Sequence, residues 1–209
     1  MIGAITMRLL ALLLAFLPLF AADAARHPYN PTRTPWPIPG IIEAENFDEG
    51  TKDDPAYYDD TPGSQAPADE RYRDSDVDMG VDPPMNLVDV GWVNFGEWLE
   101  YTVDVKMAGL YKISVRIATP KSGKHFHFEM DRKDVTGSVA VPVTGCWGSD
   151  LKGHHCFGYA VAHNVRLSKG VQRLRFVPEG KPGDKDLFTV DKFDFEVEPG
   201  NVDPAVTRF

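Results

Sequence analysis

The chain of 209 residues is long enough for one substantial domain, or two small ones. Its net charge of −9 argues against a nucleic-acid or anionic-membrane partner, because both require a basic surface. Its two cysteines, Cys146 and Cys156, bracket GCWGSDLKGHHC, and in an oxidising compartment they are expected to close that loop as a local disulfide.

Arg8 precedes the apolar run LLALLLAFLPLF, and Ala21, Ala22, Ala24 and Ala25 follow it. A basic start, an apolar run of that length and small residues at its end predict a signal peptide over residues 1–25, hence a secreted protein. The run is short for a bilayer core and contains a Pro, which separates it from a membrane span. Residues 26–39 hold Pro28, Pro31, Pro35, Pro37 and Pro39. They read as a Pro-rich leader that is extended over the surface or mobile. A domain over residues 40–198 and a tail over 199–209 complete the division.

Ile41–Phe47 alternates, which predicts a first strand with Glu43 and Glu45 on one face. Asp48–Pro84 is acidic and rich in turn residues, with Ala56–Tyr58 and Arg71–Tyr72 as candidate short strands. A loop of this length is uncommon inside a compact domain and is often functional. VGWVNFGEWLE, at Val90–Glu100, reads as a turn between two strands with a Trp near each end. Leu99, Tyr101, Val103 and Val105 then alternate with polar residues, and LYKISVRIA, HFHFEMD, VTGSVAVPV, AVAHNVRL, GVQRLRFVP and DLFTVDKFDFEVE follow. Gly or Pro separates these segments, and none has helical periodicity. The pattern predicts an all-β protein, an antiparallel jelly-roll-type β-sandwich.

IEAENF, VGWVNFGEWLEYTVDV, AGLYKISVRIA, TGCW, LSKGVQRLRF and FTVDKFDFE occur in the order seen in family-6 carbohydrate-binding modules, which the chain resembles over roughly Ile41–Glu196. The related family-35 modules share much of this layout. The resemblance implies a β-sandwich whose loops at one end hold a sugar between two aromatic walls. Those walls fall on Trp92, after the Val-Gly pair, and on Trp147. The hydrogen-bonding Asn at the base of the family's site falls on Thr189, which lacks the reach of an amide. Asp191, at a second Asn position, is the expected compensation. Cys146 replaces the Gly before Trp147, so a disulfide would pin that wall and reduce the ordering cost of binding. Tyr57, Tyr58 and Tyr72 of the acidic loop would extend the site into a longer groove. Trp98 is assigned to the core, since the strand pattern begins there.

A sugar ring has apolar C–H faces and a rim of hydroxyls, so flat aromatic rings with a few polar groups suit it. Glu43, Glu45 and Asp194, on first and last strands expected to be neighbours, are hard oxygen ligands for Ca²⁺. The resemblance implies the same structural calcium. Asp59, Asp60, Asp74, Asp76 and Asp78 lack the spacing of a dedicated calcium loop and read as solvated.

No motif places a pair of catalytic carboxylates, and no nucleophile, zinc or phosphate-loop motif is present in the sequence. His125 and His127 alternate along one strand and read as a cross-strand or solvated pair. The reading is a non-catalytic, monomeric carbohydrate-binding protein, directed at a β-glucan or xylan-like wall polysaccharide, with any partner enzymes on other chains. Two alternatives stand beside it. One is an interaction protein on the same fold without sugar binding, favoured by Thr189. The other is a copper-dependent polysaccharide monooxygenase, which requires His27 as the mature N-terminus.

Overall fold

In the computed structural model, residues 25–68, 71–82, 87–148 and 156–200 are described. The expected signal peptide, apart from Ala25, and nearly all of the expected tail lie outside them. Most of the alternating apolar segments become strands. The early strands are β1 (Trp36–Ile38), β2 (Gly40–Glu43), β3 (Tyr57–Tyr58), β4 (Met79–Asp82) and β5 (Leu87–Val90). Longer ones follow: β6 (Trp98–Val105), β7 (Gly109–Ala118) and β8 (His125–Met130). Then come β9 (Lys133–Asp134), β10 (Val139–Ala140), β11 (Gly158–Leu167), β12 (Gly170–Glu179) and β13 (Thr189–Val197).

They form two sheets. One runs β1-β6-β12-β8-β10, with β3 also on β6 and β9 on β8; the other runs β11-β7-β13-β5-β4, with β2 also on β13. The pairings are antiparallel except that of β1 with β6. Between the sheets Tyr101, Phe126, Phe128, Phe176, Phe188, Phe193 and Phe195 are fully or almost fully buried. Their rings meet edge-on or tilted, as Phe128 does with Phe193 at 5.0 Å between centroids.

Four expectations are corrected here. Residues 26–39 cross the surface at 31–34 but are built into the fold at both ends. Arg26 is buried between Asp48 and Glu100, at 3.1 and 2.6 Å, and Ile38 is in the core. The first strand ends at Glu43, because Ala44–Asn46 coils into a 3₁₀ turn that takes Glu45 off the strand face. Arg71–Tyr72 is not a strand. Trp98 lies on the outer face of β6, where the Arg175 guanidinium stacks 3.7 Å from its ring centroid. Parity decides this: Leu99, Tyr101, Val103 and Val105 point inward, so residue 98 points outward.

One feature of β13 positions the chemistry. Before Asp191 it pairs with β5, through Val190 and Val90, and after it with β2, from Lys192 and Glu43 onward. Its register with β7 slips at the same place, between Val190 and Lys192. The bulge leaves Asp191 facing the junction of β2, β5 and β13.

Candidate functional site

Trp92 and Trp147 both lie on loops and are each 40% exposed, unusual for so large an apolar side chain. Trp92 has φ of 48°, in the left-handed region. A bulky residue held there is strained by about 1–3 kcal/mol and persists only where its surroundings fix it. The fixing bonds are visible: Gly91 N–H donates to the Asp78 carbonyl at 2.9 Å, and Leu187 N–H to that of Val93 at 2.7 Å.

The segment that carries Asp184–Leu187 joins the two tryptophan loops. Asp186 N–H donates to Asn94 Oδ1 at 3.1 Å on the Trp92 side. On the other side the Lys121 ammonium donates to the Lys185 carbonyl at 3.0 Å and sits 5.0 Å from the centre of the Trp147 ring. Thr189 follows directly, 4% exposed, at the edge of β13. Its hydroxyl lies beside Gly91, where an added Cβ would come within 3.8 Å of it. Trp92, Trp147 and Thr189 thus gather at one end of the sandwich.

Cys146 and Cys156 are bonded, with Cα atoms 5.8 Å apart, and Cys156 N–H donates to the Gly148 carbonyl at 3.1 Å. Closing a loop of this size stabilises by about 3 kcal/mol in the chain-entropy model. Replacing both cysteines by Ser is therefore expected to lower unfolding free energy by about 2–3 kcal/mol, read from a urea transition. A shift below the error of that transition would mean that the bridge constrains only its own loop.

Asp191 and Tyr72 are placed elsewhere. Asp191 is fully buried, bonded to Arg116 at 2.7 Å, and does not lie on the exposed aromatic surface. Tyr58 is exposed, pairs with Trp98 across the strands, and lines a small cleft with Gly91 and Val93, the residues on either side of Trp92. Tyr72 stacks edge-on with Tyr29 at 5.9 Å and lines a separate groove with His27, Trp36, Asn46 and Glu49. Tyr58 thus borders the Trp92 turn, whereas Tyr72 belongs to the separate groove. His127 bonds Glu179 of the neighbouring strand at 2.9 Å, a cross-strand role. His27 donates its backbone N–H to the Glu49 carbonyl at 3.1 Å, and its ring Nδ1 lies 3.1 Å from the Pro28 carbonyl.

The predicted calcium ligands are partly regrouped. Asp194 lies opposite Ile41, and the charges that act on it come from Glu196, Lys112 and Lys192. Glu45 is 6% exposed, and its charged neighbours are Glu43, Asp191 and Asp89. Burial first, and then those three carboxylates, push its carboxyl up to about 8. Glu45 Oε2 and Asp191 Oδ1 are both buried without a hydrogen-bond partner. Orphaned carboxylate oxygens in one acidic pocket are what a hard cation removes. Glu43, Glu45 and Asp191 do not bring three carboxylate oxygens within 4.8 Å of one another, so a Ca²⁺ ion would have to draw these donors together.

The sequence profile of the carbohydrate binding module (family 6) matches residues 70–197. The chain belongs to this family. Family-6 modules bind carbohydrate and are not catalytic. Among solved structures, the module is similar to a β-1,3-glucan-binding family-6 module from Bacillus halodurans. The two are 21% identical, the match covers 78% of this chain and all of the other, and the TM-score is 0.54. A Clostridium stercorarium module in complex with cellobiose is 15% identical, with 79% and 98% covered and a TM-score of 0.54. One from Clostridium cellulolyticum in complex with xylose is 20% identical, with 77% and 98% covered and a TM-score of 0.52. No curated protein matches the module in sequence. The likenesses establish the sandwich, and none of them supports a monooxygenase.

Proposed function

We propose that the module grips one ring of a β-glucan or xylan-like wall polysaccharide between Trp92 and Trp147, with Thr189 supplying a hydroxyl partner at the base. The observation that carries this reading is the pair of exposed indoles on loops tied to one common segment, 184–187. Solvent-facing indoles are the surface that a sugar's C–H face covers. Secretion agrees with the Cys146–Cys156 bridge, which persists in oxidising compartments. The test is retention of the purified chain on insoluble β-1,3-glucan, cellulose and xylan, followed by calorimetry with soluble fragments. Failure to bind any of them would favour the interaction protein without sugar binding, for which Thr189 in place of an amide is the specific indication.

Calcium is the second element of the proposal. Glu43, Glu45 and Asp191 would hold it where β2, β5 and β13 meet, and the ion would supply the charge that pocket lacks. At a free-ion concentration a hundredfold above Kd it stabilises the fold by about 2.7 kcal/mol. The expected effect of chelator at pH 7 is a melting temperature lower by about 5–10 °C.

The pH dependence has a definite sign. Glu45 and Glu97 both have folded values of about 8 against 4.5 unfolded, so between these the folded state holds protons that the unfolded chain has released. In chelator, their contribution to stability is full below pH 4.5 and is lost as pH rises through about 8. Added calcium should flatten that decline. Melting curves across this range with no response to calcium, and no metal in the purified protein, would remove the ion from the proposal.

A further inference from the structure

The pairing of β3 with β6 has a chemical consequence. Tyr57 lies opposite Leu99 and Tyr58 opposite Trp98. The next antiparallel step sets Asp59 against Glu97, with Asp60 just beyond. One carboxylate oxygen from each of Asp59, Asp60 and Glu97 lies within 4.8 Å of the other two. Oxygens on opposite sides of a calcium ion, with bonds of about 2.3–2.6 Å, are at most about 5 Å apart, so all three can reach one ion.

An acidic cluster alone would be a solvated face. Here Glu97 is only 7% exposed, and its two oxygens differ. Oε2 accepts the Asn94 N–H at 2.8 Å, whereas Oε1 is buried with no hydrogen-bond partner. Such an orphan calls for a proton, a water or an ion. The other two carboxylates are already oriented. Asp59 Oδ1 accepts from the N–H and hydroxyl of Thr61 at 2.8 and 2.7 Å. Asp60 Oδ1 accepts from Asn94 Nδ2 at 2.7 Å, and its Oδ2 meets the Lys185 ammonium. One ammonium against three carboxyl groups leaves two negative charges once an arriving cation displaces the proton that buried Glu97 otherwise holds. Asp60 is exposed and Asp59 half-buried, so water has access to complete a shell of six to eight oxygens.

We propose that Asp59, Asp60 and Glu97 form a second binding site for a hard divalent cation, Ca²⁺ by donor type and span, behind the Trp92 loop. Asn94 conveys its effect. It bonds Glu97 and Asp60 and also accepts from Asp186 N–H, two residues along the chain from Trp92. An ion there fixes the acidic loop, the Trp92 turn and segment 184–187 in one arrangement. Preorganising Trp92 in this way would tighten glycan binding, a consequence that rests on the sugar-clamp reading; the metal site itself does not.

The test is calorimetric titration of the chelator-stripped full chain with CaCl₂, in wild type, Glu97→Gln, Asp60→Asn and Glu45→Gln. Folding of every variant is checked by circular dichroism and melting, and Asp60→Asn keeps an oxygen to accept from Asn94. Two calcium events are expected in wild type. Glu97→Gln and Asp60→Asn should each weaken one of them at least tenfold and spare the other, which Glu45→Gln should remove. A single wild-type event lost only in Glu97→Gln and Asp60→Asn would keep this site and discard the one at Glu45. Wild-type calcium affinity and stoichiometry in both Glu97→Gln and Asp60→Asn would overturn it, whatever Glu45→Gln does.

Discussion

Replacing Trp92 and Trp147 together by Ala is expected to abolish retention on any polysaccharide that the wild-type module holds. Each single replacement should weaken binding roughly 10- to 100-fold, about 1.4–2.8 kcal/mol, the range of an aromatic hot spot. Both side chains are 40% exposed, so neither loss opens a cavity in the core, and the melting temperature should move little. Ala at residue 92 would keep the left-handed φ of 48° without the bulk of an indole. Trp98→Ala is the contrast: it removes the ring under Arg175, so it should lower stability and leave glycan affinity unchanged. The measurements are affinity electrophoresis or calorimetry for binding and urea transitions for stability. Undiminished binding in the double variant would end the clamp reading, and lost binding in Trp98→Ala would move the site to the outer face of the first sheet.

Much of the sandwich was legible because its long strands report themselves. β6, β7, β8, β12 and β13 each alternate buried and more exposed residues over most of their length, and period 2 needs no knowledge of the partner strand. The misreadings share a cause: they depend on partners far away in sequence. β1 is only three residues with a Pro in the middle, and it exists because its residues run parallel to Val103–Val105. The bulge at Asp191 reverses the parity of β13 at the position that would have offered the carboxylate to a sugar. The Asp59–Glu97 meeting depends on the register of a two-residue strand, which alternation cannot specify. Trp98 was the exception. Its parity against Leu99 and Tyr101 was already visible, and following it would have placed the ring outside.

The same contrast gives the second large expectation. Arg26→Ala should destabilise the module by about 3–5 kcal/mol, the range for breaking a buried ion pair by removing one partner. The Arg26 side chain is 4% exposed and those of Asp48 and Glu100 are fully buried, so the replacement strands two carboxylates in a dry place. Partial compensation remains. Arg175 Nε still donates to Glu100 Oε1 at 2.7 Å, and Thr102 still donates to Asp48 from its N–H at 2.9 Å and its hydroxyl at 2.6 Å. That places the expected loss nearer 3 than 5 kcal/mol. Arg26→Met tests the mechanism, because it keeps apolar bulk while removing the charge; a loss similar to that of Ala assigns the effect to the ion pair rather than to packing. Urea transitions of the three proteins decide it. A loss below about 1 kcal/mol in Arg26→Ala would mean that the Pro-rich segment is the peripheral leader its composition suggests. A loss near 3 would make residues 26–38 part of the folding unit, held at one end by Arg26 and at the other by Ile38 in the core.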